Sequence, residues 1–211
     1  MKKVIQKRQQ AERQERIDKI LQAGRKLFLE KGYIGATVRD IALEAEFSTG
    51  VIYFYFKGKD EIYGRICEEG FQILLDLFIK ASKTEGTPLD RLVAMSKAYL
   101  KFFQKYPDYF DILSFRNMGF KQVGLPKDIL ERLEELSGKL IEIGHSVVVQ
   151  GIEEGYINPG LDSWETAFSL WAGIEGVMFI FKRRYFDVYG LDIEKVIQTQ
   201  VSILLDGIRE R

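Results

Sequence analysis

An all-α fold is predicted from three observations on the 211 residues. Apolar residues recur three and four apart, the spacing of one helix face. No run alternates apolar and polar residues long enough to compete as a strand. The four prolines (Pro88, Pro107, Pro126, Pro159) all fall where helices start or loops lie. A hydrophobic content of 46% and an aromatic content of 13% supply a sizeable core and exclude a mainly disordered chain.

The elements follow in order, about nine helices in all. The first runs from near Ala11 to Lys31, with Ile17, Ile20, Leu21, Gly24, Leu27 and Phe28 on one face. Gly32 closes it in a left-handed position and residues 33–35 turn the chain. Thr37 is an N-cap with Asp40 placed to return the bond, and opens a helix of about two turns carrying Val38, Ile41, Ala42 and Ala45 inward. Ser48 is a second N-cap, for a helix ending near Phe56. Two short helices across so tight a turn form a helix-turn-helix.

Longer helices follow. They are expected over residues 60–83, 88–105 (Thr87 as cap, Pro88 in the first turn), 107–115, 126–155, from Asp162 or Ser163 to Phe186, and 192–210. Residues 116–125, with Gly119 and Gly124, are the most loop-like stretch.

Net charge is zero, yet residues 1–59 hold 13 Lys+Arg against 7 Asp+Glu, and residues 60–211 hold 18 against 24. Only the first part is therefore suited to a polyanion. The expected organisation is a basic helix-turn-helix part over 1–59, with a basic N-terminal tail, and a larger acidic helical part over 60–211. A single cysteine, Cys67, excludes an intrachain disulfide and a multi-cysteine metal site. The charged N-terminus has no signal-peptide apolar run, and residues 167–181 are too short and too interrupted by Glu175 to span a bilayer. A soluble, cytoplasmic protein with no membrane partner is expected.

The helix opened by Ser48 carries chemistry suited to a duplex. Ile52 and Phe56 point inward, whereas Thr49 and Tyr53 share the other face and Val51 can touch a thymine methyl. Tyr53, Tyr55 and Lys59 suit phosphate oxygens, and Arg39 can reach a guanine or a phosphate beside the groove. Thr37 and Ser48 open helix N-termini, which attract anions. Gly50 either admits close backbone approach to DNA or merely sits in a first turn where its cost is small; both readings stand. Lys2, Lys3, Lys7 and Arg8 either add phosphate contacts or form a solvated tail.

The segment GYIGATVRDIALEAEFSTGVIYFYFKGKDEI resembles the DNA-binding region of the tetracycline-repressor family of bacterial transcription regulators. Gly32, Thr37, Ile41, Ala42, Ser48, Gly50, Tyr53, Tyr55, Phe56, Lys59 and Ile62 carry the resemblance in register, over about residues 13–65. Phe54 departs from the pattern. The resemblance implies Thr37, Arg39, Ser48, Thr49, Gly50, Tyr53, Tyr55 and Lys59 as DNA contacts, to which the chemistry of the helix adds Val51. It also implies a cavity in the larger domain, and a ligand that tilts the helix after Lys59 and so changes the spacing of two recognition helices.

The remaining helices are rich in aromatic residues. Phe71, Phe78, Phe102, Phe103, Tyr106, Phe110, Phe115, Trp164, Phe168 and Trp171 either fill a core or surround a small hydrophobic effector, fatty-acyl or aromatic. Arg116, Asn117 and Lys121 are placed to meet an anionic head group. Ala172, Gly173 and Gly176, with Val201, Leu204, Leu205 and Ile208, are the expected homodimer interface, formed by two helices per subunit. A two-fold dimer sets recognition helices roughly 34–36 Å apart on a palindromic operator of double-stranded DNA. One histidine (His145), one cysteine and no paired ligand spacing give no catalytic constellation and imply neither metal nor cofactor.

Overall fold

The computed structural model describes residues 2–115 and 125–209, with side chains over residues 6–113 and 125–209. The described residues hold ten α-helices, one π-helical turn and no strand. In chain order they are α1 Lys2–Gly35, α2 Val38–Glu44, α3 Thr49–Tyr55, α4 Lys59–Ser82, α5 Pro88–Lys105, α6 Pro107–Phe110 and the π turn Asp111–Phe115. Then come α7 Lys127–Glu153, α8 Ser163–Lys182, α9 Tyr185–Tyr189 and α10 Ile193–Ile208. An isolated antiparallel bridge joins Ile157 to Arg209.

Three boundaries differ from the sequence expectation. α1 begins at Lys2 rather than near Ala11. No glycine or proline interrupts its first turns, and i,i+4 pairs line it: Arg8 to Glu12 at 3.1 Å, Lys19 to Glu15 at 3.5 Å and Gln14 to Asp18 at 2.7 Å. The helix expected to reach Phe186 instead stops at Lys182, because Arg184 enters the left-handed region at φ 62° before α9 starts. Residues 107–115 form one α-turn followed by the π turn. The expected loop 116–124, with Arg116, Asn117 and Lys121, lies outside the described residues, as does the side chain of Phe115.

The chain packs as two compact units. One comprises Met1–Phe71 and Pro107–Glu135; the other comprises Gln72–Tyr106 and Leu136–Arg211. In the first, Ile20, Leu21, Leu27 and Phe28 of α1 are buried as the helical spacing predicts. Phe28 and Tyr63 meet edge to face at 5.0 Å. Gly64 lets α7 lie directly on α4, since a Cβ there would sit 2.5 Å from Ile129 Cγ2. Burial pushes the Cys67 thiol far above its ordinary range, which leaves it protonated and inert.

In the second unit, Leu89, Val148, Ile157 and Leu205 form a core that α8 covers through Ala167 and Leu170. Met95, Val147 and Ala81 form another cluster. α5 begins with the Thr87–Asp90 capping box and Pro88.

Candidate nucleic-acid interface

α2 and α3 are short, so their ends are set by caps rather than by propensity. The Thr37 hydroxyl accepts from the Asp40 amide at 3.1 Å and donates to the Asp40 carboxylate at 2.7 Å; that carboxylate also accepts from the Thr37 amide at 3.1 Å. The Thr37 hydroxyl, and then Lys31, hold the Asp40 carboxyl below its usual range. Ser48 Oγ accepts from the Val51 amide at 3.3 Å and keeps its own proton available. Between the helices Glu46 adopts φ 59°, a left-handed conformation unusual for a residue with a side chain.

Inward, Ile41, Ala42, Ile52 and Phe56 are buried. Full burial of an Ile or Phe stabilises by about 1.5–3 kcal/mol, which holds α3 on α1 and α2. Outward, Ser48, Thr49, Gly50 and Tyr53 are exposed and Val51 and Tyr55 half-buried. Phe54, which departed from the family pattern, is 78% exposed and packs its ring edge-on against Tyr55 at 5.0 Å.

The nine expected contacts therefore divide. Ser48, Thr49, Gly50, Val51, Tyr53 and Tyr55 share the outward side of α3, and Arg39 is exposed on α2. Thr37 spends its hydroxyl on Asp40. Lys59 points back into the protein, its Nζ 2.9 Å from the Tyr33 carbonyl oxygen and 3.2 Å from that of Ala36. Two further cations of this unit are also committed: Lys26 pairs with Glu44 at 2.7 Å and Lys31 with Asp40 at 3.2 Å. Lys57, which sequence reasoning passed over, is exposed between α3 and α4. Its position in the same KGK triplet as Lys59 was the available signal.

The residues expected around an effector do not share one environment. Phe71 and Phe110 are buried in the first unit. In the second, Phe102 and Phe103 are buried, and Phe78 and Tyr106 are half-buried; Phe78 packs edge-on against Tyr99 at 6.1 Å. Trp164, Phe168 and Trp171 stand apart from these. They stand 43%, 44% and 41% exposed, because the other side of α8 carries the core contacts. The face of His145 stacks on Trp164 at 3.6 Å, and its Nε2 lies 2.9 Å from Ser163 Oγ. A groove of about 550 Å³ between α5 and α10 is lined by Val93, Leu100, Ile197, Val201 and Lys101, among others, and by none of the expected aromatics.

The residues of the expected dimer stripe divide between the core and the surface. Leu205 belongs to the core, and Val201 and Ile208 pack against it. A Cβ on Gly173 would meet Gln200 Nε2 at 2.8 Å and Leu204 Cδ1 at 2.9 Å, so this glycine lets α8 approach α10 of its own chain. Ala172 is exposed, and a Cβ on Gly176 would point into open space among the described residues. The large apolar residues exposed on these helices are Trp164, Phe168, Trp171 and Ile180 on α8 and Ile203 on α10.

Comparison with known proteins bears on α1–α4. Residues 20–66 match the family described as bacterial regulatory proteins, tetR family. The chain is 24% identical over 189 residues to the HTH-type transcriptional repressor KstR2 of Mycobacterium tuberculosis, covering 90% of each. It is 51% identical over 49 residues to the HTH-type transcriptional regulator HbdR of an Aromatoleum strain, covering 23% of this chain and 21% of that one. The fold matches the transcriptional regulator FadR from Bacillus subtilis, solved in complex with stearoyl-CoA, with a TM-score of 0.74, 18% identity and coverage of 90% and 98%. The family match over residues 20–66 coincides with the two-cap helix-turn-helix, so this part of the chain is a tetR-family DNA-binding region, and the relatives matched along most of the chain are transcription regulators.

Proposed function

We propose that this protein is a ligand-responsive repressor that binds a palindromic operator as a homodimer and is released by a hydrophobic small molecule. The observation that carries the reading is the division of α3: Ile52 and Phe56 are buried, while Ser48, Thr49, Gly50 and Tyr53 are exposed. On this reading Thr49, Val51 and Tyr53 meet base edges or sugars, and Arg39, Ser48, Tyr55 and Lys57 hold the backbone. Residues 1–59 act as the reader and residues 60–211 as the sensing and assembling part.

The second copy docks on the aromatic face of α8 and on Ile203 of α10. A row of three large aromatics at i, i+4 and i+7 suits burial against another helix pair. The similarity to FadR, solved with stearoyl-CoA, favours a fatty-acyl effector over other apolar molecules. The effector weakens DNA binding only to the extent that it prefers a state with the recognition helices mis-spaced, and α4, which follows directly on the reader, carries that change.

Electrophoretic shift with the duplex upstream of the protein's own coding sequence tests the reading, with stearoyl-CoA added as the first effector. A sequence-dependent shift reversed by the acyl-CoA is expected. Equal retention of random duplex would sink the repressor reading. A specific shift untouched by acyl-CoA, and by apolar and aromatic acids, would sink the effector class alone.

A further inference from the structure

Resting on the DNA-binding reading above, we infer that residues 6–16 of α1 are a second DNA-contact surface. One side of this exposed stretch of helix holds the phosphates that flank an operator half-site. The stretch precedes the family-matched region, which starts at residue 20. Further along α1 the stripe that meets the core runs through Ile17, Ile20, Gly24 and Leu27. At helical spacing the same stripe continues toward the N-terminus through Arg13, Gln10, Gln9 and Gln6, all exposed. Gln6, Lys7, Gln9, Gln10 and Arg13 line one side of the helix together. The stripe thus changes from apolar to cationic and amide where α1 outgrows its core.

The charges are sorted by side as well. Away from the stripe they neutralise one another: Arg8 pairs with Glu12 at 3.1 Å and Lys19 with Glu15 at 3.5 Å. Gln14 donates to Asp18 at 2.7 Å. Lys7, Arg13 and Arg16 form no ion pair among the described residues. Both glutamates of residues 6–16 are therefore taken up, and the remaining charge is positive.

Few partners suit such a face. Between Gln6 and Arg16 the only apolar residue is Ala11, so a bilayer interior or another helix finds no apolar stripe to bury. Lys, Arg and Gln side chains bind phosphate oxygens, and Arg and Gln also reach minor-groove edges. Continuity with the reader selects duplex DNA among polyanions. α1 runs without a break from residue 2 to residue 31, and its later turns hold α2 through Lys26–Glu44 at 2.7 Å and Lys31–Asp40 at 3.2 Å. Residues 6–16 span about 16 Å at 1.5 Å per residue. A duplex carries one charge per roughly 1.7 Å of axis, so several phosphates come within reach.

The test uses a duplex selected by the wild-type protein from a random-sequence pool, with long flanks, and measures affinity across a salt series. The triple variant Lys7→Gln, Arg13→Gln, Arg16→Gln should lower the slope of log K against log salt by about 0.9 per lost contact, and weaken binding roughly tenfold at low salt. The double variant Arg8→Gln, Glu12→Gln removes a charge pair from the other side and should bind within about twofold of wild type. All five positions are exposed, so thermal unfolding of both variants should match wild type, which separates lost contact from lost fold. Trimming the flanks to the selected core should weaken the wild type and leave the triple variant unchanged.

A wild-type slope in the triple variant overturns the inference and leaves the reading of α3 intact. An equal loss in the double variant overturns it too. Retention on phosphatidylglycerol vesicles that the triple variant loses, with an unchanged DNA slope, gives the face to a membrane surface instead. If the wild-type protein selects no duplex, the DNA-binding reading fails and this inference falls with it.

Discussion

α3 and α8 present opposite kinds of surface. On α3 the large apolar residues Ile52 and Phe56 are buried and the hydroxyl groups of Ser48, Thr49 and Tyr53 face out. On α8 a hydroxyl is buried, Thr166, satisfied by the Asp162 carbonyl at 2.7 Å, while Trp164, Phe168 and Trp171 face out. A polar outer face is stable in water and ready for phosphates and base edges. An aromatic outer face keeps several hundred square ångströms of apolar surface wet until something covers it. The difference teaches that exposure alone does not identify a partner; the chemistry of what is exposed does.

The largest effect separates the two sides of α10. Leu205→Ala, at a position 6% exposed, should cost about 3 kcal/mol in denaturant unfolding. Ile203→Ala, two residues away and 62% exposed, should stay within about 0.5 kcal/mol in the isolated protomer. Similar losses at both positions would break the assignment of faces. Next comes Phe168→Glu, which puts a charge at the centre of the aromatic row. Sedimentation equilibrium should show dimer association weakened by about 2 kcal/mol or more, with the thermal stability of the separated protomer little changed. An unaltered dimer would remove α8 from the interface.

A smaller change of opposite sign is expected in the first unit. Glu46→Gly relieves a left-handed backbone at φ 59° and should stabilise by up to about 1 kcal/mol; a loss of stability would show that the Glu46 side chain matters more than its backbone. The smallest effect is acid-dependent. The Asp40 carboxyl is held below its model-peptide value of 3.8 by the Thr37 hydroxyl and then Lys31. A depressed folded-state pKa contributes stability above pH 3.8 that disappears as pH falls through the lower folded value. Wild type should therefore be more stable than Asp40→Asn at neutral pH, and the two should converge in acid. A difference independent of pH would show that the charge of Asp40 plays no part.

The helix-turn-helix was legible because its signals are local. Thr37 with Asp40, and Ser48 three residues before Val51, fix helix starts within a few residues, and the buried pair Ile52 and Phe56 then sets which side of α3 faces out. The placement of Lys59 was not legible, for the complementary reason. Its partners are carbonyls 23 to 26 residues earlier, brought to it by the reversal at Gly32, and no spacing in the sequence announces that. The faces of the last helices were illegible for another reason. α8 and α10 carry apolar residues on more than one side, so periodicity identified helices but not which stripe meets the core.

The sequence by itself determined an all-α chain, the positions of its caps and breaks, and a reader near the N-terminus. These rest on interactions within one or two turns, where residue type and spacing are sufficient. Only the tertiary structure decided that Leu205, Val201 and Ile208 turn inward, that the tryptophans of α8 turn outward, and that the Lys59 ammonium lies beside the carbonyls of Tyr33 and Ala36. Each of these depends on which distant element fills the space beside the residue, and that competition for contact is resolved only when the whole chain is packed.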